Sequence, residues 1–228
     1  MNGTSGEQST TPQVRRTSQV SDGAGFLLDA LRARPVARRL LSGMSILLAV
    51  LGIGLLAYPV YTNLYQSRLQ TKLAIQLKAP ETKRAYQAGE TAMGDALTRL
   101  TIPAIEVSTV VVEGTGASAL RAGAGHYPNT PLPGEEGNVA IAGHRTTYGK
   151  PFHNLDLLKP GDDIILQTPV GTCTYKIAKA PFVVLPSDTS VVAPSKDGEL
   201  TLTTCHPKGS ASHRLVVRAL LQGPAIST

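Results

Sequence analysis

The chain opens polar, turns apolar, and then alternates. Residues 1–25 are rich in Gly, Ser, Thr and Gln and show no apolar periodicity, so they read as disordered. Between Arg39 and Arg68 there is no charge, and the heart of that interval, Leu40–Tyr61 (LLSGMSILLAVLGIGLLAYPVY), is almost continuously apolar. About 20 such residues in a helix cross the hydrocarbon of a bilayer. Tyr58, Tyr61 and Tyr65 gather at the far end, where interfacial aromatics belong. The stretch is too long and starts too late for a cleaved leader, and no small-x-small site follows it directly. The pattern therefore predicts an uncleaved transmembrane signal-anchor helix over 40–63, behind a disordered cytoplasmic tail over 1–39. Arg32, Arg34, Arg38 and Arg39 precede the span, and Arg68, Lys72 and Lys78 follow it. The bias is small and favours a cytoplasmic N-terminus with the rest of the chain outside.

Residues 64–94 read as a stalk or linker. Leu69, Leu73 and Leu77 recur at helical spacing with Ile75 off that face, and Pro80 ends the run. From about Ala96 the period shortens. LTRLTIPAI and EVSTVVVEG read as strands with Pro103 at a kink or edge. ASALRAG reads as a helical turn or two, and PNTPLPGEEGN as turn chemistry throughout. NVAIAG is a short strand ending at Gly143. NLDLLKPGD is a helical turn stopped by Pro160. DIILQT and TCTYKIA form a hairpin across PVG, and PFVVLP, ELTLTTC and RLVVRALL complete the set. Many short, evenly spaced strands over 95–222 imply a mainly β fold, a closed barrel or a sandwich. Residues 223–228 form a C-terminal tail.

Composition changes this picture little. Lys and Arg number 22 against 16 Asp and Glu, a net charge of +6, with no dense basic run interleaved with aromatics, so nucleic acid is not an expected partner. Trp is absent and Phe occurs three times, while Val, Ile and Leu are plentiful, which suits a β-rich core. Asp162, Asp163, Asp188, Asp197 and Glu199 are scattered rather than clustered, so no metal and no cofactor are expected.

The chemistry concentrates in LTLTTCHPKGSASHRLVV, residues 200–217. Side chains alternate across a strand. Leu200, Leu202 and Thr204 therefore share one face, and Thr201, Thr203 and Cys205 the other. Cys205 ends its strand beside a loop containing Pro207 and Gly209, where a substrate can reach a thiol. Arg214 opens the next strand. If the two strands pair as a hairpin, Arg214 lies across the loop mouth from Cys205, where a guanidinium favours a thiolate and can stabilise an oxyanion. A thiol nucleophile wants a histidine, and there are five. His206 and His213 adjoin Cys205 and Arg214 and point to the wrong faces. His126 and His153 lie in loop-like sequence. His144 ends the NVAIAG strand and matches a cysteine at a strand end if the two strands are neighbours. The remaining cysteine, Cys173, sits mid-strand. A Cys173–Cys205 disulfide is the alternative that an extracytoplasmic domain raises; a lone buried thiol fits the mid-strand position better. Arg218 shares a strand face with Arg214 and reads as a solvated charge or a barrel ion pair.

TLTTC, residues 201–205, resembles the Thr-Leu-x-Thr-Cys signature of sortases, the cysteine transpeptidases of Gram-positive cell surfaces. GHYPNTPLPGEEGNVAIAGHRTTYGKPFHNLDLLKPGD, residues 125–162, is similar to the segment around the sortase histidine, and TLTTCHPKGSASHRLVV looks most like class E sortases of high-GC Gram-positive bacteria. The resemblance covers about residues 95–222. It implies a closed eight-stranded sortase-type β-barrel with short helices, preceded by one transmembrane helix. It also implies Cys205 as nucleophile, His144 as the histidine that protonates the leaving amine, and Arg214 as the arginine that holds substrate carbonyls or the oxyanion. Thr203 and Thr204 would line the groove, with Tyr148 and Tyr127 as substrate contacts or packed barrel-mouth aromatics. The implied reaction cleaves the Thr–Gly bond of a C-terminal sorting signal, Leu-Ala-x-Thr-Gly in preference to Leu-Pro-x-Thr-Gly, through a thioacyl-enzyme. The surface protein then passes to a lipid II cross-bridge or a pilin lysine. Two readings from other classes remain beside it. One is an L,D-transpeptidase-like peptidoglycan cross-linker, whose Ser-His-Gly-Cys motif differs from the Thr-Thr before this cysteine. The other is a membrane-tethered binding module with an inert Cys205.

Overall fold

The computed structural model describes residues 35–223. Most of the expected cytoplasmic tail and the last five residues of the C-terminal tail lie outside the described residues. The chain divides into two units, one ending at Leu55 and the other starting at Leu56. A single helix, α1 (Pro35–Gln76), contributes to both. It begins at Pro35, where the fixed φ of proline suits a first helical turn. Its apolar part carries no buried residue and is long and apolar enough to cross a membrane. Leu55 and Leu56 are each 78% exposed, which an aqueous surface would penalise.

Within the second unit α1 changes character. Leu73 and Leu77 are buried against Ala96, Val110, Val112 and Ala119, while Ile75 points to solvent, as their spacing predicts. Gln70 lies one turn before Leu73 on the same side. Its amide donates to the carbonyls of Val110 (3.1 Å) and Ala122 (2.8 Å), and its carbonyl accepts the Val110 N–H at 2.6 Å. Gln76 donates to Asp95 at 2.8 Å. Over residues 64–76 the expected stalk continues the anchor as helix and lies packed against the β-rich part. It is a packed helix whose grip is largely polar, which hydropathy cannot register. After a short turn, α2 (Pro80–Ala88) starts on proline and stops at Gly89, whose φ of +68° suits a glycine C-cap. Tyr86 from α2 is fully buried and donates its hydroxyl to the Pro133 carbonyl at 3.0 Å.

Among the described residues nine strands follow: β1 (Ala96–Ile102), β2 (Val107–Glu113), β3 (Ala124–His126), β4 (Asn138–Gly143), β5 (Asp163–Thr168), β6 (Gly171–Ile177), β7 (Phe182–Val184), β8 (Glu199–His206) and β9 (His213–Gln222). Their order is β6-β5-β1-β2-β3-β4-β8-β9-β7, and β6 also pairs with β9. Eight strands thus close a barrel, leaving β7 as a short addition against the first half of β9. Closure gives each barrel strand a neighbour on both sides for part of its length. Pro103 starts a single 3-10 turn (Pro103–Ile105) between β1 and β2. Helix α3 (Ala117–Ala122) links β2 to β3. The two parallel contacts, β2–β3 and β4–β8, are spanned by longer connections, as parallel pairing demands. The interior is filled by Leu100, Ile102, Ile141, Leu155, Ile164, Leu166, Tyr175, Leu200, Leu202 and their neighbours, all essentially excluded from solvent. Strand β3 is the element the apolar pattern does not announce, because three residues containing a glycine carry no usable periodicity.

Candidate active site

Strand β8 builds the site, and each of its side chains has a separate task. Leu200 and Leu202 enter the core. Thr201 donates to Asn138 Oδ1 at 2.7 Å. Thr203 shares a hydrogen bond with the Tyr127 hydroxyl at 3.1 Å, and Thr204 donates to the Gly143 carbonyl at 2.7 Å. Both threonines are 3% exposed, so their hydroxyls are occupied within the protein. Cys205 is half-buried and is a free thiol. The hairpin expected from the sequence forms: Cys205 pairs directly with Arg214, and His206 with His213. The Arg214 guanidinium donates to the carbonyls of Ala211 and His213, both at 3.0 Å, and among the described residues it meets no carboxylate. Its positive charge is left for something else.

On the other side of β8 runs β4, parallel, with partners from Asn138↔Glu199 to Ala142↔Thr203. Carried two residues further, this register brings His144 level with Cys205. His144 is half-buried; its burial, and then the positive charge of Arg121, hold its imidazole below the ordinary histidine value. Tyr148 packs beside it with ring centroids 5.6 Å apart, and the Arg121 guanidinium lies 6.0 Å from the Tyr148 ring centre. The loop carrying Tyr148 curls tightly. Tyr148, Gly149 and Lys150 all have positive φ (48°, 70° and 39°), an arrangement that costs energy for the two residues with side chains. It is held by Phe152 N–H donating to the His144 carbonyl (3.1 Å) and Gly149 N–H donating to Asn63 Oδ1 (3.2 Å). A side chain at Gly149 would meet Gln66 within 2.6 Å.

The other histidines are engaged elsewhere. His126 is buried, with Nδ1 2.8 Å from Glu113 Oε2 and Nε2 3.0 Å from both the Pro131 carbonyl and Thr130 Oγ1. His153 Nδ1 donates to the Arg145 carbonyl at 2.8 Å. His206 Nδ1 receives Arg145 Nη1 at 2.8 Å, and His213 Nδ1 lies 3.1 Å from Ser212 Oγ. Among the described residues no protein group hydrogen-bonds the His144 ring. Three adjacent strands thus present a reachable thiol, a free imidazole and an uncompensated guanidinium, the groups acyl transfer needs for nucleophile, proton donor and oxyanion partner.

The PNTPLPGEEGN segment that follows Tyr127 is stitched down rather than loose. Tyr175 accepts the Gly134 N–H at 2.8 Å, Glu135 accepts the Leu132 N–H at 2.8 Å, and Tyr86 and His126 hold Pro133 and Pro131. Cys173 lies in the core, 5% exposed; burial pushes its thiol up to about 11. It forms no disulfide with Cys205. Arg218 pairs with Glu199 at 2.9 Å, and Asp163 with Lys176 at 2.6 Å. The residue that sequence reasoning overlooks is Arg145, 3% exposed, with an ion pair to Asp156 at 3.0 Å. Its only sequence signal is a charge immediately after His144.

Comparison with known proteins agrees with this geometry. A family model described as the Sortase domain matches residues 100–222. Sortase SrtE1 of Streptomyces coelicolor is 30% identical over 201 residues, covering 81% of this chain and 57% of its own length, so the chain spans little more than half of that relative. A Clostridium perfringens Sortase D5 transpeptidase structure superposes with a TM-score of 0.61 at 32% identity, covering 69% of this chain and 98% of that one. Sortase E of Streptomyces avermitilis gives 0.54 at 38% identity, covering 58% and 91%. With more than half of its residues under the family model, on a barrel these relatives share and with class E proteins among them, the chain belongs to the sortase family.

Proposed function

We propose that the protein is a membrane-anchored cysteine transpeptidase that cleaves a C-terminal sorting signal and transfers the surface protein to an amine. The observation that carries this reading is the pairing of Cys205 with Arg214 across β8 and β9, beside a β4–β8 ladder whose last partners, Ala142 and Thr203, stand two residues before His144 and Cys205. The Cys205 thiolate attacks the carbonyl carbon of the threonine in the Thr–Gly bond. Arg214 takes up the negative charge on the carbonyl oxygen. Collapse breaks the C–N bond, His144 gives its proton to the departing glycine amine, and a thioester remains. An amine of the acceptor, such as a lipid II cross-bridge or a pilin lysine, then attacks the thioester and loses a proton to His144, restoring the thiolate. Tyr127 and Tyr148, on the two loops flanking the histidine strand, are proposed substrate contacts. Thr203 and Thr204, expected to line the groove, are each 3% exposed with their hydroxyls spent on Tyr127 and Gly143, so they brace the end of β8 and do not meet substrate. The class E likeness favours a Leu-Ala-x-Thr-Gly-like signal. The apolar part of α1 supports a single-pass plasma-membrane anchor with the barrel extracytoplasmic.

The test uses the full chain in detergent micelles with Leu-Ala-x-Thr-Gly and Leu-Pro-x-Thr-Gly peptides and a glycine-based amine, followed by mass spectrometry. Product and thioester that vanish in Cys205→Ala but persist in Cys173→Ala are expected, with the Ala-containing peptide faster. Absence of any thioester on wild-type protein with either peptide would refute the reading.

A further inference from the structure

We propose that Arg145 is a positioning residue for the nucleophile: its buried guanidinium, anchored on Asp156, holds the Cys205–His206 segment at the height of His144 where β4 parts from β8. The proposal rests on Cys205 being the nucleophile.

The last ladder partners between β4 and β8 are Ala142 and Thr203, so the backbone at Cys205 has no strand neighbour on that side. Arg145 fills the gap from the strand it has just left. Its Nη1 donates to the Cys205 carbonyl at 3.3 Å and to His206 Nδ1 at 2.8 Å, while Nη2 pairs with Asp156 Oδ1 at 3.0 Å. Its own main chain is fixed by His153, which donates to its carbonyl. Among the described residues the Nε of Arg145 has no partner. A cation this deeply buried is costly unless paired, so its presence calls for a reason beyond packing. Arginine suits the task because a planar fork can bridge two acceptors on one strand and a carboxylate on the other side, which a lysine ammonium cannot do in the same geometry. A guanidinium only donates, so His206 Nδ1 must be the acceptor, which fixes the ring next to the nucleophile in one orientation. Arg214 does not share this work: among the described residues its fork bonds carbonyls of its own hairpin alone. Asp156 has a second cation, Lys208, at 3.6 Å, so one carboxylate steadies the strand end through Arg145 and the following loop through Lys208.

Misplacing a nucleophile by about 1 Å costs roughly a hundredfold in rate without weakening substrate binding. The experiment compares wild-type full chain in micelles with Arg145→Met, Arg145→Lys, Asp156→Asn and Cys205→Ala. It measures single-turnover thioester formation by intact mass, steady-state kcat and KM, and Tm. In Arg145→Met, thioester formation and kcat should fall by about 30- to 100-fold with KM within about twofold. Arg145→Lys should recover Tm but remain about tenfold slow, and Asp156→Asn should lose about threefold or more in kcat at near wild-type Tm. Wild-type kcat in the lysine variant, or proportional losses in kcat, KM and Tm that lysine fully reverses, would reduce Arg145 to a structural ion pair and overturn the proposal. Should the methionine variant not fold, the lysine variant decides on the same criterion: wild-type kcat in it overturns the proposal. Turnover surviving in Cys205→Ala would instead refute the underlying nucleophile, a separate failure that leaves a dead Cys205→Ala with fully active Arg145 variants as the mark against positioning alone.

Discussion

The two cysteines differ by environment alone, and that difference is measurable. Cys173 is enclosed by the core and its thiol is pushed up to about 11, so the thiolate that alkylating agents require is scarce at neutral pH. Cys205 is half-exposed at a strand end. Iodoacetamide on the folded full chain at pH 7.5 should modify Cys205 alone, with Cys173 reacting only after denaturation; peptide mapping reads both. Equal labelling in the native state would contradict the burial of Cys173. His144 gives a second prediction at this scale. Its burial, and then Arg121, disfavour the imidazolium, so the ring loses its proton below the ordinary histidine value of about 6.5. At neutral pH the neutral ring of His144 is therefore favoured further. Arg121→Met removes a like charge, which must raise the His144 value; an NMR titration of the ring checks the sign directly. An unchanged or lower midpoint in the variant would deny Arg121 this influence. Cys205 and Arg214 were legible at this scale because strand alternation and a short hairpin dictate that they face each other. Arg145 was not, since its partners depend on where two strands remote in sequence separate.

Elements were legible in proportion to their apolar contrast. The long strands and the apolar part of α1 announce themselves, and Leu73 and Leu77 mark one face of the helix correctly. The docking of that helix did not show, because Gln70 supplies most of its specificity by mimicking a backbone partner for β2 and α3. Gln70→Ala leaves the Val110 N–H and the Val110 and Ala122 carbonyls without this partner. An unsatisfied buried group costs about 1–3 kcal/mol. The variant should lose about 2 kcal/mol of stability, seen as a lower Tm by circular dichroism of the full chain in detergent. A Tm unchanged from wild type would mean that the leucine stripe alone seats the helix. Asn63→Ala, which removes an exposed contact to Gly149, should cost less.

At the scale of the whole molecule, the closed barrel was foreseeable from many short strands, but its order was not. Parallel neighbours such as β4 and β8 are separated by more than fifty residues of sequence, and nothing local specifies which strand will lie beside which. The register of that pair is nonetheless what brings His144 level with Cys205, and it is pinned at its far end by Asn138. This side chain is 1% exposed and fully used: it donates to the carbonyls of Val191 and Ala193, each at 3.0 Å, and accepts from Thr201 at 2.7 Å. It thereby ties β4 to β8 and to the connection that precedes β8. Asn138→Ala removes three hydrogen bonds at once; the Val191 carbonyl keeps Arg218 and Ala193 is exposed, but the buried Thr201 hydroxyl is left without its acceptor, at an expected cost of about 1–3 kcal/mol. Because the same ladder leads to Cys205 and His144, the proposed nucleophile and proton donor, the variant should also lose turnover per folded molecule at temperatures well below its Tm. Asn138→Asp, which can still accept from Thr201 but repels the two carbonyls, should not restore either property. A variant that melts early yet turns over at the wild-type rate when folded would separate barrel stability from site alignment, and would leave the Cys205-end contacts of Thr204 and Arg145 as the features that set the spacing.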